Sequence, residues 1–160
     1  MSNKLAIFDQ LISESLPVLR KTAYGILRNE ADADDAVQEA LVRAWKGYSI
    51  FQSKAKLSSW VYRITVNVSY DILRKQKKEE EKLYALPVEE FKDDDASVLC
   101  GALRSAVARL PEIYRDAISA VYFSGLSGEQ AADQLGCKVN ALYWRISRAK
   151  DLLHAELKEI

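Results

Sequence analysis

Apolar residues recur every three or four positions along most of the chain, the spacing that places them on one face of an α-helix. Residues 3–29 show this pattern and predict two helices divided near Pro17, because proline lacks a backbone donor and interrupts helices. A third helix is predicted at 31–46, and Gly47 ends it. Strand-type alternation is hard to find, so the pattern predicts an all-α protein.

The middle of the chain combines a long predicted helix with a charged segment. After a loop at 47–56, residues 57–78 keep an apolar stripe and predict the fourth helix. Between Glu79 and Asp95, eight acids stand against two lysines, and the helical period is lost. Segments with few apolar residues and a high net charge cannot bury enough surface to fold alone. We therefore interpret 79–96 as an acidic linker that is at most partly helical.

Helical periodicity resumes after the linker. Further helices are predicted at 97–109, 112–124, 128–135 and 139–158. Ser127, followed three residues later by Gln130, has the spacing of a capping box at a helix start. The predicted fold is therefore all-α, with two small helical domains, 1–78 and 97–160, joined by the linker 79–96.

The charge distribution is more informative than its total. The chain carries 23 basic and 23 acidic side chains, and this balance alone argues against a nucleic-acid partner. However, the segment from Lys138 to Lys150 contains four bases and no acid. The neutral total therefore combines an acidic middle segment with a basic segment near the end of the chain.

Several classes of function find no support in the sequence. Cys100, Cys137 and the single His154 do not have the spacing of a zinc site, so neither a metal nor another cofactor is expected. No carboxylate pair, nucleophile–base set or phosphate loop has a usable spacing, which argues against an enzyme. Without a signal peptide or an apolar run near 18 residues, we expect a cytoplasmic protein with no membrane insertion.

A helix-turn-helix is predicted near the end of the chain. The short helix at 128–135 contains the small Ala132, Gly136 permits a turn, and a longer helix follows from Val139. Basic and polar side chains on such a second helix can neutralise phosphates and reach base edges. A packed hairpin with a solvated basic face is the alternative. The candidate duplex-binding residues are Lys138, Asn140, Ala141, Tyr143, Trp144, Arg145 and Arg148.

The fourth helix carries a second candidate surface. Four of its residues are spaced to share one face, and the preceding loop adds an aromatic ring, an amide and two lysines. Rings that stack on bases, together with phosphate partners, are typical of single-strand binding, although a solvated amphipathic face would have the same pattern. The candidate residues are Phe51, Gln52, Lys54, Lys56, Arg63, Asn67, Tyr70 and Arg74.

Two blocks of sequence resemble a known family. Region two of the extracytoplasmic-function (ECF) sigma factors, group four of the sigma-70 family, resembles residues 24–45, 57–67 and 71–75. Region four of the same family resembles residues 110–115, 125–132 and 145–150. Both blocks stand in the family's order with an acidic segment between them, and the resemblance covers nearly the whole chain.

The resemblance implies a sigma factor that directs core RNA polymerase to promoters, with the β′ and β subunits, promoter DNA and an anti-sigma factor as partners. Residues at 34–45 would bind the clamp coiled coil of β′, although Trp45 could equally belong to the core. The 51–56 loop and the fourth helix would bind the −10 element, and the helix-turn-helix would bind the −35 element. The implied polymerase-binding residues are Asp34, Asp35, Gln38, Glu39, Arg43 and Trp45.

The chain departs from its relatives at the recognition helix. Family members often have lysine or arginine where this chain has Tyr143, and serine where it has Trp144. Trp144 lies off the apolar stripe, so it is expected to be partly exposed or covered by a partner, or else packed on the first domain. This departure and the neutral net charge leave open a sigma-like decoy that titrates an anti-sigma factor. A helix-turn-helix regulator that works without polymerase is a further alternative.

Overall fold

The computed structural model describes residues 2–51, 56–84 and 95–158, and the regular elements within these ranges are helices. Their bounds are α1 Ser2–Leu27, α2 Glu30–Gly47, α3 Leu57–Tyr84, α4 Asp95–Arg109, α5 Glu112–Ile118, α6 Gly128–Leu135 and α7 Val139–Leu157. A 3₁₀ turn, Tyr48–Ile50, follows α2, and a π turn, Ser119–Phe123, continues α5. The prediction of an all-α fold is confirmed.

Helix α1 is unbroken, so the predicted division near Pro17 is wrong. Pro17 lies on the exposed side of the helix, whereas Leu11 and Leu19 are buried on either side of it. Helix α1 as a whole packs on both α2 and α3. This shared burial outweighs the local penalty of an interior proline, which is about 3 kcal/mol.

The ends of two other helices differ from the prediction. Helix α3 continues to Tyr84 rather than ending near residue 78, and α4 begins at Asp95 rather than near 97. The acidic segment is therefore helical at both margins, while 85–94 lies outside the described residues. Helix propensity is high for glutamate and lysine, so a charged sequence can prolong an existing helix without burying any surface.

Small residues allow the first three helices to pack closely. Ala36, Ala40 and Ala44 of α2 have no solvent exposure, and they face the core that α1 and α3 complete. Asn29 caps α2, because its side-chain oxygen accepts a hydrogen bond from the Asp32 amide at 2.9 Å. The exposed positions of α2 are thereby held on a rigid, capped helix.

The predicted helix-turn-helix is present. Ser127 and Gln130 form both bonds of a capping box at the start of α6, as predicted. Gly136 ends α6 with φ of 69°, a backbone conformation that glycine adopts without strain. Leu142 and Ile146 belong to the buried stripe of α7 and pack against α5 and α6.

The N-terminal and C-terminal helices pack against each other. Helix α1 contacts the π turn Ser119–Phe123, and α3 contacts α6. Near the end of α3, the Lys77 ammonium donates to the Gly101 carbonyl of α4 at 3.5 Å. The face of α3 that carries the candidate single-strand residues therefore meets the C-terminal helices.

Candidate polymerase and nucleic-acid interfaces

Helix α2 presents a continuous polar face to solvent. The exposed residues include all of those expected to bind the polymerase, namely Asp34, Asp35, Gln38, Glu39, Arg43 and Trp45. Three of them have charged neighbours: Arg43 donates to Glu39 at 2.8 Å, and Arg20 of α1 lies 3.2 Å from Asp34. Exposed pairs of this kind contribute at most about 1 kcal/mol, so they leave the face open to a partner.

Trp45 belongs to both the core and the surface. Its ring packs edge-on against Phe8 with centroids 5.1 Å apart, yet 40% of the residue is exposed. The Lys4 ammonium lies 4.0 Å from the ring centroid and donates to the Trp45 carbonyl at 2.8 Å. One edge of the indole is therefore fixed, and the other can contact a partner.

The loop before α3 starts from an aromatic cluster. Phe51 is half-buried, and its ring centroid lies 6.2 Å from that of Tyr48 and 5.0 Å from that of Trp60. The candidate residues Gln52 and Lys54 lie outside the described part of the chain. At the end of the loop, the Lys56 ammonium is 2.5 Å from a carboxylate oxygen of Asp133 in α6.

The four candidate residues of α3 share one face, and each contacts the C-terminal helices. Arg63 donates to the Leu135 carbonyl at 3.1 Å, and Arg74 donates to the Ala108 carbonyl at 3.1 Å. Asn67 is half-buried, and its side-chain oxygen accepts a hydrogen bond from the Arg115 guanidinium. The fourth residue, Tyr70, is fully buried.

A buried cluster of hydroxyl groups joins α1 and α3 to the π turn. Thr22 and Ser124 have side-chain oxygens 2.7 Å apart, and the Tyr62 hydroxyl is 3.0 Å from that of Ser124. The Tyr70 hydroxyl lies 2.5 Å from Ser119. Burial raises the pKa of both tyrosines, so both are neutral at physiological pH.

Next to this cluster lies a buried ion pair. The Arg115 guanidinium donates to one Asp116 oxygen at 3.1 and 3.0 Å, and it lies 4.8 Å from the centroid of the Tyr70 ring. Both charged residues are only 5% exposed. Burial raises the pKa of the Asp116 carboxyl, and the positive charge of Arg115 opposes that rise.

The recognition helix α7 directs most of its candidate residues to solvent. Lys138, Asn140, Tyr143, Trp144 and Arg148 are exposed, whereas Ala141 and Arg145 are half-buried. Trp144 is 60% exposed and lies beside Tyr114 of α5, with centroids 6.2 Å apart, so it does not pack on the first domain.

Tyr143 has a neighbour that the sequence did not reveal. A methyl group placed on Gly128 would lie 2.8 Å from the Tyr143 ring carbon that bears the hydroxyl, closer than side-chain atoms approach. Gly128 therefore leaves room for the tyrosine ring over the start of α6. The Tyr143 hydroxyl lies at the junction of the two helices of the motif.

Metal binding and membrane insertion find no structural support in the described ranges. No three or more histidine, cysteine, aspartate or glutamate side chains are grouped there as metal ligands. The helices in those ranges also lack a stretch that is both long and apolar enough to cross a membrane.

Comparison with known proteins identifies the family. The sigma-70 region 2 model matches residues 11–79, and the sigma-70 region 4 model matches residues 100–153. The ECF RNA polymerase sigma factor EcfG of Rhodopseudomonas palustris is 34% identical over 91% of this chain and 82% of its own length. The chain belongs to the ECF sigma factors. The resemblance seen in the sequence is thereby confirmed, and transcription initiation by RNA polymerase is its function.

Further relatives agree with this assignment. The ECF sigma factor SigM of Mycobacterium tuberculosis is 35% identical over 89% of this chain and 73% of its own length. The sigma factor RpoE of Bartonella quintana, solved with the anti-sigma factor NepR, matches with a TM-score of 0.53, 29% identity and coverage of 94% and 96% of the two chains. Sigma factors are non-enzymatic transcription initiation factors.

Sequence reasoning missed the residues by which this sigma factor joins its two halves. Thr22, Tyr62 and Ser124 carry no motif, and their contacts depend on how α1 and α3 meet the π turn. Gly25 was a signal that could have been used, because a glycine inside a helical pattern weakens the helix and is often retained for packing. The sequence could not identify Phe123 as its neighbour.

Proposed function

We propose that this sigma factor binds core RNA polymerase through the exposed face of α2. The observation that carries the proposal is the solvent exposure of all six candidate residues on one capped, rigid helix. Charged and amide side chains on such a face complement a basic or polar partner. The edge of Trp45 supplies an aromatic anchor of the kind that is enriched in protein interfaces. The expected partner is the clamp coiled coil of β′, with β as a second contact of the core enzyme.

The recognition helix α7 is proposed to enter the major groove at the −35 element. Lys138 and Arg148 are exposed and basic, so they suit phosphate contacts, while Asn140 at the start of the helix suits a base edge. Relatives often carry lysine or arginine at the position of Tyr143 and serine at the position of Trp144. The two aromatic rings favour apolar contacts, so promoter preference at −35 is expected to differ from that of the relatives.

The −10 element is assigned to the loop at 51–56 and to the exposed side chains of α3. Phe51 would stack on a flipped base, and Lys56, Arg63 and Arg74 would meet the phosphates of the opened strand. Asn67 would contact a base edge. Tyr70, which is buried, would support this surface from below rather than touch DNA.

Control by an anti-sigma factor and residence in the cytoplasm complete the proposal. Two solved relatives support the first part: RpoE is bound to NepR, and CnrH is bound to the cytosolic domain of CnrY. The CnrH chain matches with a TM-score of 0.52 and 27% identity, covering 95% of this chain and 88% of that one. Both proteins are similar to this sigma factor in fold and sequence.

A decoy that titrates an anti-sigma factor is the second candidate. The exposure of Tyr143 (56%) and Trp144 (60%) on the recognition helix favours it, because large exposed rings suit a protein partner. The two candidates differ in one measurable property. A sigma factor initiates transcription with core polymerase from a cognate promoter, and a decoy does not.

The test combines reconstituted transcription with one variant on each surface. Asp35→Arg is expected to weaken core binding about tenfold, equivalent to about 1.4 kcal/mol, while holoenzyme formed at saturating core still binds promoter duplex normally. Arg148→Ala should leave core binding unchanged and lower the salt slope of duplex binding by about one. Lys158→Ala, at the far end of α7, is the matched control and should change neither property.

Two results would overturn the proposal. Wild-type protein that binds an anti-sigma factor but neither binds core polymerase nor initiates would establish the decoy. Parallel loss of core and duplex binding in both variants would mean that the two surfaces are not separate.

A further inference from the structure

We propose that Trp144 is a specificity-determining residue of this sigma factor, and that its indole contacts the 5-methyl group of a thymine in the −35 duplex. The inference rests on the proposed entry of α7 into the major groove, and it names the chemical group that this helix recognises there. Its structural basis is the place of the indole on α7, the polar side chains beside it and the aromatic ring that supports it.

Trp144 lies on the outward face of α7, in the second turn of the helix. Asn140 and Arg148 stand one turn before and one turn after it, and all three residues are exposed. The buried stripe of the helix, which includes Leu142 and Ile146, lies on the opposite side. The first turns of a recognition helix contact base edges in the major groove. An indole at this position therefore faces base edges when α7 binds as proposed.

The chemistry of the indole selects one group among those in the groove. Its ring carbons neither donate nor accept hydrogen bonds, and its Nε1–H is a single donor. The C5-methyl of thymine is the one apolar group on the major-groove edges of the four bases, which otherwise present donors and acceptors. An indole packed against those polar groups would remove their water without replacing its hydrogen bonds, at a cost in free energy. A thymine methyl group is therefore the preferred contact.

The charge around the indole favours DNA over a protein partner. The segment from Lys138 to Lys150 carries four basic residues and no acid. Exposed Asn140 and Arg148 on the same face suit a base edge and a phosphate. The other large ring that α7 exposes, that of Tyr143, lies over Gly128 at the start of α6. The indole is thus surrounded by groups that complement a polar, negatively charged groove.

Tyr114 of α5 supports the indole from the side of the protein. The centroids of the two rings are 6.2 Å apart and their planes are inclined by 53°, which is within the range of favourable aromatic pairs. Tyr114 is half-buried and packs against the core. A side chain that is already held loses less conformational freedom on binding. Tyr114 is therefore a positioning residue, which acts on DNA only through Trp144.

The first experiment identifies the thymine. Holoenzyme formed from this chain and core RNA polymerase selects promoter duplexes from a randomised library, and each thymine of the selected −35 segment is replaced singly by deoxyuridine, which lacks only the methyl group. One replacement should weaken binding about fourfold, equivalent to about 0.8 kcal/mol, as expected for one buried methyl group. Cytosine at the same position should bind more weakly than 5-methylcytosine, because only the latter carries the methyl group.

The second experiment assigns the methyl contact to the indole. Trp144→Ala should bind the thymine and deoxyuridine duplexes equally, because no ring remains to contact the methyl group. Trp144→Phe should retain part of the discrimination, since a phenyl ring is also apolar. Tyr122→Ala is the matched control, because it removes another exposed ring of the C-terminal half. It should keep the ratio of about four between the two duplexes.

The third experiment tests the positioning role of Tyr114. In Tyr114→Ala, the affinity ratio between the thymine and deoxyuridine duplexes should fall below about two, because the indole is no longer held. The salt dependence of binding should stay as in the wild type, since no phosphate contact is lost. Tyr114→Phe should restore the ratio, because the aromatic contact does not need the hydroxyl. A merely structural role would weaken binding of both duplexes alike and leave the ratio unchanged.

The outcomes separate this inference from the proposed function. A wild-type holoenzyme that selects a preferred −35 segment, yet tolerates deoxyuridine at each of its thymines, would overturn the inference and leave −35 binding intact. A discrimination that persists in Trp144→Ala would also overturn it, because another residue would then contact the methyl group. A wild-type holoenzyme that shows no sequence preference at −35 would overturn the proposed role of α7, and this inference with it.

Discussion

At the scale of single residues, Tyr70 illustrates what spacing can and cannot reveal. The sequence correctly placed Arg63, Asn67, Tyr70 and Arg74 on one face of a helix, since that depends only on the helical period. What covers that face depends on residues about 50 positions away, such as Ser119, which bonds the Tyr70 hydroxyl. The face was predictable, but the burial of Tyr70 was not.

The same limit applies to the Arg115–Asp116 pair. The sequence shows two adjacent opposite charges, a pattern that is usually exposed. They are buried to 5% because α5 packs against α7 and because Arg115 contacts Asn67 and Tyr70 of α3. A prediction follows from the pKa of Asp116, which burial raises above its ordinary value of 3.8 while Arg115 opposes the change.

Asp116→Asn should reveal this raised pKa as a pH dependence. The folded state binds the Asp116 proton more tightly than the unfolded state, so the contribution of Asp116 to wild-type stability falls as pH rises from 3.8 through the folded pKa. Asparagine does not titrate and can still accept from Arg115. Urea unfolding between pH 3.5 and 7 should therefore show the variant gaining stability relative to the wild type as pH rises. A relative loss with rising pH would mean that Arg115 lowers the pKa instead.

At the scale of helices, the sequence predicts the features that depend only on neighbouring residues. The capping box of Ser127 and Gln130 and the left-handed Gly136 were both predictable, because each satisfies backbone groups within a few residues. The ends of α3 and the continuity of α1 were not. The continuity of α1 through Pro17 depends on its packing against α2 and α3. The last turns of α3 instead follow from the helix propensity of glutamate and lysine, which an apolar period does not report.

Pro17→Ala should therefore stabilise the protein. An interior proline costs a helix about 3 kcal/mol, and its restriction of the unfolded chain returns about 0.4–1 kcal/mol, so a net gain of about 2 kcal/mol is expected. Denaturant unfolding at constant pH measures the difference. Ser13→Ala, at another exposed position of α1, measures the effect of helix propensity alone. It should raise the free energy of unfolding by about 0.5 kcal/mol or less. A gain no larger than that control would mean that α1 already accommodates Pro17 without strain.

At the scale of the whole molecule, the two halves depend on each other. Each predicted domain is small, and small domains bury too little surface to be very stable alone. The contact surface between the halves, called the seam here, consists of the hydroxyl cluster and the close contact of Gly25 with Phe123. These contacts add to the stability that each half has by itself. The sequence indicated two domains and their order, but its neutral net charge gave no sign that Lys56 of one half would pair with Asp133 of the other.

This dependence predicts how the protein unfolds. If this contact surface holds the halves together in solution, the two halves unfold together, and calorimetry of the wild type should show one transition. Halves that have separated would instead melt independently. Gly25→Ala loosens the seam without weakening either core, and should divide the transition in two. Gly101→Ala, whose methyl group meets no described atom within 4 Å, should keep a single transition.

Two transitions already present in the wild type would mean that the halves melt independently and that the seam contributes little. One transition in Gly25→Ala at the wild-type temperature would mean that the contact with Phe123 adjusts without opening.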